Sequence, residues 1–272
     1  MAAEGFTSRY GPWAVVAGAS NGIGLGFAHQ LAARGVDVVL VSRRRDALDA
    51  AADEVEAAHP GRATRVVVAD LTAPGMAEVI GDATADLDVG TVIYNAGAEH
   101  GAGLFHERPV DDALFLVDLN CRGPVLLAHR FVPRLLARGS GALVLMSSMA
   151  AVAGNGYVAA YSATKAFDIN LAEGLGVELR PHGVDVMTVI AGATATPSLL
   201  GSGAHVDPDT FSLMQPEEVA REALDALGSG PVLVPGEANQ GAYGYLRSIP
   251  REEASGLLTQ GSTALYGLPP LV

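Results

Sequence analysis

At 272 residues, with 49% hydrophobic and 17% charged residues, the chain has the composition of a globular protein able to bury a full core within one α/β domain, the opposite of a disordered one. A formal net charge of −13 argues against a nucleic-acid partner, because tracking phosphates needs clustered Lys and Arg. The lone cysteine, Cys121, excludes an internal disulfide and a Cys-based zinc site and is read as inert packing. The seven histidines are scattered with no His-x-x-x-His pair, so no metal is expected. The start, Met1 to Gly5, lacks the features of an export signal, and no stretch approaches the roughly 18 apolar residues of a membrane span. A cytoplasmic protein with no membrane partner is expected.

Short runs rich in Val and Ile alternate with longer helix-like segments, the rhythm of a parallel sheet covered by helices on both faces. In chain order the predicted elements begin with a strand at Trp13–Ala17, a helix at Gly22–Arg34, a strand at Val36–Val41 and a helix at Asp46–Ala58. A strand at Thr64–Ala69, a helix at Met76–Thr84 and a strand at Thr91–Tyr94 follow. The second half continues with helices at Asp111–Cys121 and Val125–Arg138, a strand at Ala142–Met146, a long helix at Tyr157–Arg180 and a strand at Val184–Ile190. A helix at Pro216–Leu227 and a strand at Val232–Val234 complete the set. Pro181 and Gly183 close the long helix, and Pro216 opens the next. The pattern predicts a Rossmann-type, doubly wound, seven-stranded parallel sheet in a single domain over 1–272. Residues 197–214 lack periodicity and carry Gly201, Gly203 and Pro208, so a lid loop is expected there; 237–272 forms a C-terminal extension.

Between the first strand and first helix lies Gly18-Ala19-Ser20-Asn21-Gly22-Ile23-Gly24. Glycines in that position permit a tight turn and a close approach of backbone to a pyrophosphate facing the helix N-terminus. Downstream, Tyr161 and Lys165 are four apart on a predicted helix and share a face. A phenol with an ordinary pKa of roughly 10 is a poor base near neutrality, but a fixed ammonium beside it stabilises the phenolate. Of the 17 Lys and Arg residues, every one is Arg except Lys165, which points to a site needing a compact, rotatable charge. Ser148 lies thirteen residues before Tyr161, at the carboxyl end of the predicted fifth strand, where open α/β sheets bind ligands. Its hydroxyl can steady charge developing on a substrate oxygen. Ser147 is its rival and is read as structural.

Together with Asp70-Leu71, Asn95-Ala96-Gly97 and Asn120, the Gly-x-x-x-Gly-x-Gly turn and the Ser148, Tyr161 and Lys165 spacing resemble the classical short-chain dehydrogenase/reductase family from about Trp13 to Gly236. The resemblance implies that Gly18, Ser20, Asn21, Gly22, Ile23 and Gly24 cradle a nicotinamide dinucleotide and that Asp70 and Leu71 contact its adenine. It places Asn95, Ala96 and Gly97 along the nucleotide, with Thr194 and Thr196 at the nicotinamide end. Lys165 would hold the ribose hydroxyls, and Asn120 would position a water that relays protons to it. Where the family commonly has Pro-Gly after the sixth strand, this chain has Ala191-Gly192, which frees the local backbone. Members are usually dimers or tetramers built through helices matching Asp111–Arg138 and Tyr157–Arg180, so a homo-oligomer is expected. The segments Trp13 to Gly18, Ser147 to Met149 and Thr194 to Leu200 look similar to bacterial 7β-hydroxysteroid dehydrogenase-like members.

An acid at the end of the second strand would select NAD(H). Ser42 stands there instead, followed by Arg43-Arg44-Arg45, and guanidinium groups suit a 2′-phosphate. NADP(H) is therefore expected, with Arg43 the chief contact and Arg44 the second; the competing account is a solvated helix entrance. The expected chemistry is hydride exchange between nicotinamide and a ketone or secondary alcohol, with Tyr161 donating the proton and Ser148 orienting the oxygen. Leu199, Leu200, Phe211, Leu213 and Met214 of the lid, and Tyr243, Tyr245, Leu246 and Tyr266 of the tail, suit either a pocket for a bulky hydrophobic substrate or core and interface packing. Glu99 and His100 follow the Asn-Ala-Gly motif, and His100 is given no role. The alternatives are a non-catalytic NADP-binding sensor or scaffold, and an epimerase or dehydratase of the extended type, which carries a different glycine spacing and a longer substrate domain.

Overall fold

The computed structural model describes residues 3–97, 101–204 and 213–271. Glu99, His100, Phe211 and part of the expected lid lie outside the described residues. Seven parallel strands form one sheet: β1 (Trp13–Ala17), β2 (Asp37–Ser42), β3 (Thr64–Val68), β4 (Val89–Tyr94), β5 (Gly141–Ser148), β6 (Val184–Ala191) and β7 (Val232–Leu233). Their order is β3-β2-β1-β4-β5-β6-β7. The sheet grows outward in opposite directions from β1 and β4, and a crevice therefore opens at the carboxyl ends of these strands.

The successive apolar residues of the strands follow from burial on both faces. Val15 joins one core cluster and Val16 the other, as alternating side chains must. On the first face pack α1 (Ala3–Tyr10), α2 (Gly22–Ala33), α3 (Arg45–Ala58) and α9 (Pro216–Asp225), led by Phe27, Leu31, Leu48 and Leu224. On the second pack α4 (Met76–Ala83), α6 (Gly123–Arg138) and α7 (Ala159–Leu179), led by Ile80, Phe131, Leu135 and Ala172. The remaining helices are α5 (Val110–Val117), α8 (Pro197–Leu200), α10 (Glu237–Ser248) and α11 (Arg251–Tyr266). None of the described helices is long and apolar enough to cross a membrane.

Four features depart from the sequence expectation. The N-terminal helix α1 was not expected; it buries Phe6 and Tyr10, and Tyr10 donates to Asp185 at 2.7 Å. The separate helices expected at Asp111–Cys121 and Val125–Arg138 are joined by a π turn, Asp118–Arg122. The Gly123 N–H bonds the Asp118 carbonyl, five residues back, while the Leu119 carbonyl it would otherwise meet accepts from the Tyr94 hydroxyl at 2.7 Å, so the ladder widens by one residue there. The long helix starts at Ala159 rather than Tyr157, because Tyr157 has a left-handed backbone (φ 63°) that no α-helix can contain. Finally, the C-terminal extension is largely helical, as α10 and α11, and the expected lid begins with the short helix α8.

Candidate active site

A cleft of about 900 Å³ opens at the carboxyl edge of the sheet. One end is built on the glycine turn. Gly18 is left-handed (φ 87°), and Ser20, Asn21, Gly22 and Ile23 line the cleft ahead of α2. Gly24 does not line it; it is buried beneath the turn, where a Cβ would collide with the Gly18 carbonyl and lie 2.7 Å from Asn95 Nδ2. Asn95 locks this arrangement, its side chain donating to the Gly18 carbonyl at 2.9 Å while the Asn95 and Ala96 N–H groups bond the Ala17 carbonyl. Helix N-terminus and exposed backbone thus face the space a pyrophosphate needs.

Ser42, Arg43 and Arg44 border the cleft at the end of β2. Arg45 is tied to Asp49 one turn along α3, at 2.8 Å and 2.9 Å, whereas Arg43 and Arg44 make no side-chain hydrogen bond or ion pair among the described residues. Two exposed guanidinium groups at the rim are therefore uncommitted to any hydrogen bond, though the charge of Arg43 reaches Asp70. Asp70 accepts from the Thr72 N–H and hydroxyl, which hold its carboxyl below the usual range, and Leu71 lies beside it in the wall.

The other end of the cleft holds Ser148, Tyr161 and Lys165. Consecutive strand residues point to opposite sides, and this separates the two serines. Ser147 is buried and donates to the Lys165 carbonyl at 2.7 Å, fastening α7 to β5. Ser148 accepts from the Ala150 N–H at 3.2 Å, which leaves its own hydroxyl hydrogen uncommitted among the described residues. Tyr161 is half-buried in the cleft wall, and Lys165, one turn on, is buried with its Nζ donating to the Met146 carbonyl at 2.8 Å and to Asp168 at 3.3 Å. A Cβ on Gly97 would lie 3.0 Å from Lys165 Nζ and 3.6 Å from Asn120 Oδ1, so the glycine of the Asn-Ala-Gly motif makes room for both. Asn120 sits in the π turn, fully buried, and donates to Thr164 at 3.0 Å.

Thr194 and Thr196 also line the cleft, but their hydroxyls serve the backbone: Thr194 donates to the Gly192 carbonyl and Thr196 caps α8. Ala191 pairs with Ser148, a ladder position that a proline would weaken, and Gly192 abuts Asn239 of α10. The far wall comes from the C-terminal helices. Ala238, Ala242 and Leu246 recur at four-residue spacing on α10, and Leu258, Ser262 and Leu265 follow the same face logic on α11. Of the lid and tail residues expected at a substrate pocket, Leu199, Leu246 and Tyr266 line the cleft. Leu200, Leu213, Met214, Tyr243 and Tyr245 do not, and Met214 packs in the core. Sequence reasoning missed Asp168, three positions after the lone lysine and on its face, and the buried Asn155–Ser262 pair in the cleft wall, bonded at 3.0 Å. Cys121 behaves as packing: burial pushes its thiol up to about 11.

The short chain dehydrogenase family model matches residues 12–205. A 7β-hydroxysteroid dehydrogenase of Collinsella aerofaciens is 32% identical over 235 residues, 85% of this chain and 89% of that protein. A very-long-chain 3-oxoacyl-CoA reductase of Podospora anserina is 35% identical over 223 residues, 81% of this chain and 64% of that one. Among solved structures, one from a study of 7β-hydroxysteroid dehydrogenase stereoselectivity superposes with a TM-score of 0.85 at 29% identity, covering 93% of this chain and 98% of that one. A short-chain dehydrogenase from Sphingobium yanoikuyae in complex with NADPH gives 0.75 at 32% identity, covering 89% and 97%. The chain belongs to the short-chain dehydrogenase family.

Proposed function

We propose that this protein is an NADP(H)-dependent oxidoreductase interconverting a bulky, hydrophobic ketone, steroid-like in size, and its secondary alcohol. One observation carries the reading: Tyr161 and Lys165 project from one face of α7 into a cleft whose other end holds the glycine turn and two uncommitted arginines. The residues fit the nucleotide. The left-handed Gly18 and the α2 N-terminus suit a pyrophosphate, Arg43 and Arg44 a 2′-phosphate, and no carboxylate occupies the end of β2 to repel one. The NADPH-bound relative and the two 7β-hydroxysteroid dehydrogenase likenesses support the same cofactor and substrate class.

When bound, NADP(H) supplies or accepts the hydride. Ser148 gives its free hydroxyl hydrogen to the substrate oxygen and orients it. Tyr161 passes its phenolic proton to that oxygen in reduction and takes it back in oxidation, while the Lys165 ammonium stabilises the intervening phenolate. Asn120, held by Thr164, stands beside Lys165 where a proton-relaying water is expected. Leu246, Leu258, Leu265 and Tyr266 keep the reacting end apolar. Outward-facing Val110, Leu114 and Val117 on one side of α5, with Val125 and Val177, support assembly as a homodimer or homotetramer through these helices. The free Cys121 fits a reducing, cytoplasmic setting.

The test is to mix the purified protein with NADPH or NADH and a panel of bulky ketones and to follow nicotinamide absorbance. Turnover with a lower Michaelis constant for NADPH is expected. Cofactor binding without turnover across the panel would favour a sensor, and a lower constant for NADH would remove the NADP(H) preference.

A further inference from the structure

Asp168 follows Lys165 by three residues on α7, and both side chains are almost wholly withdrawn from solvent, at 3% and 5% exposure. Lys165 Nζ spends two of its three N–H bonds on the Met146 carbonyl at 2.8 Å and on Asp168 Oδ2 at 3.3 Å, which leaves one for the cleft. The second carboxylate oxygen, Oδ1, makes no hydrogen bond among the described residues. A half-satisfied buried carboxylate is a poor structural element, and an apolar side chain of similar size would pack there at less cost. Burial pushes the Asp168 carboxyl up to about 6, with the Lys165 ammonium pulling it back. Among the described residues, the Tyr94 phenol of β4 and the Cys121 thiol of the π turn also feel its charge. Burial pushes both up, the thiol to about 11, so they stay neutral near pH 7 and Lys165 is the charge Asp168 answers to.

Resting on the hydride-transfer reading above, we propose that Asp168 is a positioning residue that tethers the Lys165 ammonium and sets how much of its charge reaches Tyr161 and the bound nucleotide. With the carboxylate ionised, the pair is close to neutral and the lysine is held in one rotamer. With it protonated, the full positive charge acts on the phenol and on the anionic dinucleotide. An Asn at this position is a lasting mimic of the protonated carboxyl.

The test compares wild type with Asp168→Asn by fluorescence titration of NADPH from pH 5 to 8, alongside the pH–rate profile of alcohol oxidation. At pH 8 the variant should bind NADPH about fivefold more tightly than wild type, and the two should converge at pH 5. The 2′-phosphate titrates near pH 6, but it is common to both proteins and cancels in the comparison. The limb of kcat governed by the tyrosine should move about one pH unit towards acid in the variant, and Asp168→Glu should return it towards wild type. Binding and rate curves that run parallel in the two proteins overturn the proposal, as a merely structural role predicts. If the Asn variant does not fold, NADH, which lacks the 2′-phosphate, decides with wild type alone: its affinity must weaken as pH rises through about 6, and a flat curve overturns the proposal. The binding measurements need no substrate, so they stand apart from a failure to turn over any ketone, which would remove the functional reading instead.

Discussion

The sheet body and the C-terminal helices both wall the cleft, but they are held in place differently. Strands β1, β4, β5 and β6 are buried almost throughout, and two clusters of apolar side chains clamp them from either face. By contrast, α10 has no buried residue and α11 has two, Ala254 and Ser262. What fastens α11 and the residues after it to the loop before α7 is a short series of polar ties: Gly156 N–H to Thr259 at 2.8 Å, Ser262 to Asn155 at 3.0 Å, and the Tyr157 phenol to the Pro269 carbonyl at 2.6 Å. The residues proposed for the chemistry sit on the part with the large apolar core. The wall expected to choose the substrate sits on the part with the low local stability, where change is tolerated.

That contrast can be broken from either side. Tyr161→Phe should leave the melting temperature and NADPH affinity nearly unchanged while lowering kcat about a thousandfold, a loss typical of a missing general acid; steady-state rates beside a binding titration measure both. Substantial residual turnover would take the tyrosine out of its role. Gly24→Ala strikes the body: the added methyl collides with the Gly18 carbonyl and Asn95, so unfolding should come about 3 kcal/mol easier and nucleotide affinity should fall with it. Leu258→Ala strikes the helical wall and should raise KM for bulky ketones about tenfold with little change in melting temperature or in NADPH binding. If its melting temperature falls as far as that of Gly24→Ala, the two regions are one cooperative unit and the contrast is wrong. The smallest effect runs the other way. Gly244 is exposed on α10 with open space around it, so Gly244→Ala should stabilise that helix by about 0.5–1 kcal/mol, read as slower amide exchange confined to 237–248.

The same contrast governs how much could be read in advance. Strand β1 falls on the predicted bounds because nothing but burial on both faces explains Trp13 to Ala17. The glycine turn, Ser148, Tyr161 and Lys165 were legible because each needs a particular residue type at a fixed place along the sheet edge, and all of them except the buried Ala19 and Gly24 open on one cleft. Helices α10 and α11 were not legible as helices. Gly241, Gly244, Gly256 and Gly261 dilute their propensity, and with so little buried their apolar stripe is faint. Tyr157 hid its positive φ, since a tyrosine gives no hint of the backbone that a glycine there would have announced. Asp168 left a trace, an acid one turn from the sole lysine, whose meaning depended on knowing that both are buried. The triple arginine was readable as a run, and only the structure separates Arg45, spent on Asp49, from its two uncommitted neighbours.

The hydroxyl of Tyr157, four residues upstream of Tyr161, grips the carbonyl of Pro269, so the residues that follow α11 are stitched to the segment leading into α7. Combinatorial libraries aimed at new ketones would do best to randomise 155–158 jointly with 259–269, since altering either strip alone leaves its mate holding a bond with no one to share it.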